Sequence, residues 1–289
     1  MDIIRSVKDM QQLIIDQKRK GKKIGFVPTM GFLHEGHEKL IQNARENNDI
    51  VVISIFVNPL QFGPNEDFER YPRDEEHDKL ISENNHVDFL FIPTVEAMYP
   101  SELAIAMDLT KRVDVLCGRT REGHFSGVVT VLAKLFNIVL PDNVYFGMKD
   151  AQQIAVVDSL INDLNYPIQL NPVPTVRESD GLAKSSRNVY LQEQERKVAP
   201  SIFQALQFGQ KMVIDGEKNP VIIVKEVENF ILQQTTGKID YVEILSYPEL
   251  TPVQTINQQV ILATAVHFKN ARLIDNIVID HTGLISKRI

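Results

Sequence analysis

Between residues 23 and 176 the chain alternates short, β-branched apolar runs with helical patterns. KIGFVPT reads as a strand, GHEKLIQNAREN as a helix, DIVVISIFV as a strand, DEEHDKLISENN as a helix and VDFLFIP as a strand. SGVVTVLAKLFNIVL, NVYFGM, AQQIAVVDSLINDLN and IQLNPVPTV continue as helix, strand, helix and strand. The runs at 50–57 and 87–92 are almost continuously apolar, as strands covered on both faces must be. Such alternation predicts an α/β fold, a Rossmann-like doubly wound parallel sheet.

The pattern changes after about residue 190. Helices are expected over 193–214 and 219–234, separated by DGEKNP, followed by strands in IDYVEILS, QQVILATAVHF and ARLIDNIVI. Helices followed by strands predict a smaller C-terminal α+β domain. The boundary falls near 176–188, giving domains 1–180 and 181–289. The opening MDIIRSVKDMQQLIIDQKRK reads as an amphipathic helix. It has no uninterrupted apolar core and no small-residue cleavage site, so it is not expected to be a signal peptide. No repeat or low-complexity tract interrupts the chain.

A net charge of −7 and a pI near 5.6 argue against a nucleic-acid partner. The apolar runs are strand-sized, far short of the ~18 residues of a membrane span. A single cysteine, Cys117, permits no intrachain disulfide and suits a reduced, cytoplasmic protein.

The chemistry concentrates in PTMGFLHEGHEKL, residues 28–40. A zinc-protease H-E-x-x-H motif puts its histidines four apart on one helix face. His34 and His37 are three apart with Gly36 between them, and no third ligand stands at an obvious spacing. A strand ending at Pro28 or Thr29, a turn at Gly31 and a helix opening near Gly36 instead suit phosphate, because helix amino termini offer unpaired N–H groups. Two imidazoles there could stabilise charge developing on an attacked α-phosphate. A strand–turn–helix with two solvated histidines remains equally compatible with this segment alone.

The H-x-G-H spacing resembles the HIGH motif of the nucleotidylyl-transferring superfamily, and AKSSRNVYL (183–191) occupies the place of its KMSKS-like motif. SIFVNPLQFGPNEDFERYPR (54–73), REGHFSGVVTVLAKLFNIV (121–139) and VYFGMKDAQQ (144–153), taken with PTMGFLHEGH and SSRN, resemble the pantoate–β-alanine ligase (pantothenate synthetase) family. The resemblance implies ATP-dependent condensation of (R)-pantoate with β-alanine. Pantoate carboxylate attacks the α-phosphate, pyrophosphate leaves, and the amine then displaces AMP. It also implies Mg²⁺ travelling with ATP, no protein-built metal site and a homodimer.

By the same resemblance His34 and His37 sit on the ATP phosphates, with His37 catalytic, and Met30, Gly31 and Gly36 lie along the nucleotide. Gly147, Lys149 and Asp150 contact ATP, Lys149 also being catalytic, and Val176 meets adenine through its backbone. Lys184, Ser185, Ser186 and Arg187 close over the phosphates. Gln61 and Gln153 hold pantoate, Gln61 also meets β-alanine, and Asn58 and Arg121 are additional candidates. On the residues alone, structural readings are favoured for the polar candidates outside HEGH, Lys149 excepted: Asp150 and Gln153 suit a helix cap and its reciprocal partner, Gln61 a loop amide, Arg121 a solvated loop and Asn58 a turn before Pro59.

The chain departs from the family pattern at four places. Met148 stands where Glu is frequent, Glu122 where Pro is common, Cys117 where some relatives have Glu, and His77 where an acid is frequent. No carboxylate role, including one toward Mg²⁺, carries over to position 77. Three rival readings are a nucleotidylyltransferase with another acceptor, an RNA-binding synthetase relative and an inactive nucleotide-binding module.

Overall fold

A computed structural model describes residues 1–64, 66 and 68–286. Asn65 and Asp67 of the 54–73 segment, and residues 287–289, lie outside the described residues. Two compact units emerge. The first comprises Met1–Thr110, Arg121–Gly147 and Val156–Val173; the second comprises Lys111–Thr120, Met148–Ala155 and Pro174–Ile289.

In chain order the first elements are β1 (Asp2–Ile4), α1 (Val7–Arg19), β2 (Ile24–Thr29), α2 (Glu35–Asn47), β3 (Ile50–Ile55), α3 (Glu75–Asn84), β4 (Phe89–Phe91) and α4 (Val95–Met98). Then come α5 (Leu116–Thr120), which belongs to the second unit, α6 (His124–Val139), β5 (Asn143–Gly147), α7 (Ala151–Asp163) and β6 (Gln169–Val173). Among the described residues the first unit's sheet has six strands, ordered β1-β4-β3-β2-β5-β6, and every pairing is parallel.

Side chains alternate across this sheet. Val27, Ile53 and Leu90 fall on one face and meet Leu40, Ile41 and Ala44 of α2 in a shared apolar cluster. Phe26 and Val52 fall on the other, where α6 packs on β2 and on α1. Both faces are therefore covered, which accounts for the continuous apolar runs in β2 and β3 and bears out the doubly wound parallel sheet.

The second unit contributes α8 (Glu193–Val198), α9 (Ser201–Ile214), α10 (Pro220–Gln234), β7 (Lys238–Ser246), β8 (Val260–His267) and β9 (Arg272–Ile279). The last three form an antiparallel sheet in the order β7-β8-β9. Ile202, Leu206 and Val213 of α9 and Ile223, Val227 and Ile231 of α10 pack against its Val242, Leu262, Val266 and Ile277. Gly209 admits this close approach, since a Cβ there would lie 2.7 Å from Leu262 and 2.8 Å from Val227. The expected α+β character is present.

Two expectations need correction. The N-terminus is not helical throughout: Asp2–Ile4 is a parallel edge strand on β4, and α1 begins only after Ser6, whose hydroxyl accepts from Asp9 N–H at 3.3 Å. The helix expected over 193–214 is two helices, because Pro200 has no N–H to continue the ladder, and Val198 ends one and Ser201 starts the next.

Candidate active site

In the first unit the chain order reverses at β2, which lies between β3 and β5. Open α/β sheets bind ligands at the carboxyl ends of strands beside such a switch point. β2 ends at Thr29 and runs through Met30–Leu33 into α2, so the HEGH segment falls at that position. Gly31 has φ +84° and Phe32 φ +52°, both left-handed. A Cβ at Gly31 would approach Asp78 Oδ2 to 2.9 Å and Ile55 Cγ2 to 2.8 Å, so glycine is required there on two counts.

His34 is the N-cap of α2. Its Nδ1 accepts from Gly36 N–H at 3.1 Å, and His37 Nδ1 accepts from His34 N–H at 3.2 Å. This is a capping box built from two imidazoles. Both Nδ1 atoms act as acceptors, so each ring carries its proton on Nε2. The rings lie 4.1 Å apart, centroid to centroid. The helix start therefore offers imidazole N–H donors together with the positive end of the helix dipole.

Asp78 was not among the expected site residues. It is buried on α3, and its carboxylate accepts from Leu33 N–H at 2.6 Å and Phe32 N–H at 2.9 Å. Burial raises its pKa, while the two amides pull it down. His77 turns Nε2 toward Leu33 O at 3.1 Å.

A second cluster surrounds Gln61, in a 3₁₀ turn spanning Pro59–Gln61. Asn58, fully buried, donates from Nδ2 to Gly127 O and to Gln61 Oε1, both at 3.0 Å. Asn58 Oδ1 accepts from Tyr99 OH at 2.9 Å and from Leu60 N–H at 3.3 Å. The backbone partners fix the orientation of the Asn58 amide. That in turn puts Oε1 of Gln61 toward Asn58 and leaves Nε2 as its other end. Burial pushes the Tyr99 hydroxyl well above the usual range, so it stays a donor. Gly127 is obligatory, because a Cβ would lie 2.1 Å from Leu60 O.

Arg121 binds Glu66 through Nε at 2.6 Å and Nη2 at 2.7 Å, and Nη1 meets His124 Nε2 at 2.9 Å. Arginine can only donate, so Nδ1 of His124 carries the proton and donates to Gln61 O at 2.8 Å. The structure thus brings Asn58, Gln61 and Arg121 into one network.

Gly147 ends β5 beside Val173 of β6, and a Cβ there would meet no described atom within 4 Å. In the second unit, Lys149 and Asp150 lie in a 3₁₀ turn, Met148–Asp150, that runs into α7, with Lys149 Nζ 4.0 Å from Asp150. Gln153 sits half-buried in the first turn of α7. Asn276 on β9 donates from Nδ2 to Lys149 O at 2.8 Å and Met148 O at 3.0 Å, a support the sequence reading missed.

Lys184 N–H donates to Val176 O at 2.9 Å, and Arg177 bridges Ala183, so the Val176 and 184–187 candidates lie side by side. Ser185 caps a 3₁₀ turn, Ser186–Tyr190, its Oγ accepting from Arg187 N–H at 3.3 Å. Arg177 anchors this hairpin by two bonds to Asp275, at 2.6 and 3.0 Å, and by its stack on Phe203. Cys117 is a buried thiol 3.3 Å from Tyr241 OH and 3.4 Å from Arg272 Nη1. Among the described residues no three His, Cys, Asp or Glu side chains form a metal cluster. No helix of the described residues is long and apolar enough to cross a membrane.

The first unit is an α/β fold with a histidine-capped helix start at the switch point of its parallel sheet, and the second unit carries a lysine turn after β5 and an SSR turn downstream. A family model described as pantoate-beta-alanine ligase matches residues 2–278, and the chain belongs to that family. It is 58% identical over 280 residues to a pantothenate synthetase of Geobacillus sp. (strain WCH70), covering 97% of this chain and 99% of the relative. A solved pantothenate synthetase from Thermus thermophilus superposes with TM-score 0.90 at 41% identity, covering 96% of this chain and 99% of that one. A pantoate-beta-alanine ligase from Francisella tularensis, solved with beta-gamma ATP and beta-alanine, gives TM-score 0.78 at 33% identity, covering 96% and 97%. The family's reaction is the ATP-dependent condensation of pantoate with β-alanine to pantothenate. The expectation of an ATP-consuming ligase is met.

Proposed function

We propose that the histidine-capped start of α2 is where this chain activates pantoate, and that the residues described above divide the reaction between them. The observation that carries the proposal is the reciprocal cap, which fixes the proton of both imidazoles on Nε2. His34 and His37 donate to the ATP phosphates. His37 acts most strongly as charge grows on the attacked α-phosphate, the differential stabilisation that lowers a barrier.

Met30, Gly31, Gly36 and Gly147 let the nucleotide lie against backbone. Lys149 neutralises phosphate charge, Asp150 meets the ribose and Val176 the adenine. Lys184, Ser185, Ser186 and Arg187 grip phosphate oxygens, Arg187 through a planar two-pronged contact. Gln61 and Gln153 hold pantoate by amide hydrogen bonds, with Asn58 and Arg121 fixing Gln61. Once pantoyl adenylate has formed, β-alanine attacks its carbonyl near Gln61 and AMP leaves.

Mg²⁺ enters on the ATP phosphates. It suits that position because it favours oxygen ligands and keeps several waters, needing no protein cage. When bound it offsets phosphate charge. The domain comprising 1–180 serves ATP and pantoate, and residues 181–289 form a smaller domain. The reading is of a cytoplasmic homodimer without nucleic-acid or membrane partners.

Equilibrium binding of Mg-ATP and of pantoate to single variants tests the division of labour. Lys149→Ala and Arg187→Ala should weaken ATP, Lys184→Ala less so, and Gln61→Ala should weaken pantoate alone. Loss of ATP affinity in Gln61→Ala equal to that in Lys149→Ala would contradict it.

A further inference from the structure

Leu33 and Phe32 present consecutive backbone N–H groups to one carboxylate, Oδ1 of Asp78 taking Leu33 at 2.6 Å and Oδ2 taking Phe32 at 2.9 Å. Consecutive amides aimed at one anion form a nest, and here the anion is supplied by the chain itself. The nest depends on the left-handed backbone at Gly31 and Phe32. It also depends on the missing Cβ of Gly31, whose place the carboxylate and Ile55 close off. Leu33 is held from its other side as well, its carbonyl lying 3.1 Å from His77 Nε2. Asp74 caps the helix that carries both residues, accepting from His77 N–H at 3.0 Å.

One turn of α3 therefore grips the three consecutive peptide groups that run from Gly31 into His34. We infer that Asp78 is the positioning residue for the His34–His37 pair. It fixes the strand-to-helix turn and so aims the Nε2–H of both rings, without itself touching substrate. The inference rests on the proposed role of the two histidines.

Asp78→Asn tests it. The side chain keeps its size, but one oxygen becomes an NH₂ group facing a backbone N–H, so one strut of the nest becomes a repulsion. A displacement near 1 Å at a reacting group costs on the order of 10²-fold in rate. The variant should therefore lose about 100-fold in kcat while KM for ATP moves only a few-fold. Nitrogen-15 NMR should find both imidazoles as Nε2–H tautomers in the parent chain. In the variant the His34 signal should move toward a tautomer mixture, and the Phe32 and Leu33 amides should exchange faster. Gly31→Ala intrudes on the same carboxylate from the loop side and should give the same imidazole and amide signals. If Asp78→Asn does not fold, Gly31→Ala decides by those signals alone, its kinetics being set aside because Gly31 also lies along the nucleotide in the proposed reading.

A folded Asp78→Asn with parental kcat would overturn the inference. So would a fall in kcat with unchanged imidazole signals and unchanged amide exchange, which would assign Asp78 a direct role. Failure of the underlying reading is separately visible, as a His37→Ala variant that keeps its kcat.

Discussion

Asn58 donates to the side-chain oxygen of Gln61 at 3.0 Å, and this one bond decides which end of the Gln61 amide is left to donate. The Nε2 end must donate, which suits a carboxylate or hydroxyl oxygen of pantoate. Asn58→Asp would put a carboxylate against Gly127 O and Gln61 Oε1, forcing the glutamine amide to turn over. A hydrogen bond to a charged group contributes about 1.5–3 kcal/mol. KM for pantoate should rise about 10- to 100-fold with KM for ATP little changed. Steady-state kinetics with each substrate varied in turn will check this.

On the proposed mechanism, His37→Ala removes a donor whose value lies in the transition state. Loss of one such donor typically costs about 10²–10³ in kcat. The ATP dissociation constant, measured by equilibrium dialysis, should change by only a few-fold. Equal losses in kcat and affinity would make His37 a ground-state ligand.

Features carried by local pattern were legible in the sequence. Continuous apolar runs announced buried parallel strands, and β2 was found at Ile24–Thr29 and α7 at Ala151–Asp163, where the pattern put them. The HEGH spacing identified a helix start. Supports that act across the chain were not legible. Asp78 reaches Leu33 over 45 residues, and Asn276 reaches Lys149 over 127, so neither leaves a spacing signal. Nor could charge patterning reveal that Asp2–Ile4 pairs with β4, because three residues carry no period and the partner is distant.

Asn276→Ala would leave the carbonyls of Met148 and Lys149 without their side-chain donor. Each such loss costs about 1–3 kcal/mol where the group is buried. The 3₁₀ turn should loosen, and ATP binding should weaken about 10-fold, an effect of the order of one such bond. Asn276→Asp, which cannot donate, should do no better. Fluorescent-nucleotide titration separates these outcomes.

The Glu66–Arg121 pair sets a pH dependence. Burial would raise the Glu66 carboxyl, but hydrogen bonding and charge from Arg121 outweigh it, so the pKa lies below its ordinary 4.5. A depressed acid contributes stability that is present above about pH 4.5 and is lost as pH falls through the lowered value. Arg121→Met removes that depression and leaves a partly buried carboxylate unpaired. Acid unfolding, followed by circular dichroism, should then begin at higher pH. Stability at pH 7 should fall by about 1–2 kcal/mol, less than for a fully buried pair because both side chains retain some exposure.

The most direct measurement is rapid-quench pyrophosphate release from Mg-ATP and pantoate, first without β-alanine and then with it. The adenylate route predicts a burst of about one equivalent per active site without the amine, since one bound adenylate blocks further turnover. Sustained AMP formation should follow once β-alanine is added. No burst with ATP bound, or AMP release that needs no pantoate, would contradict the assignment of HEGH to carboxylate activation.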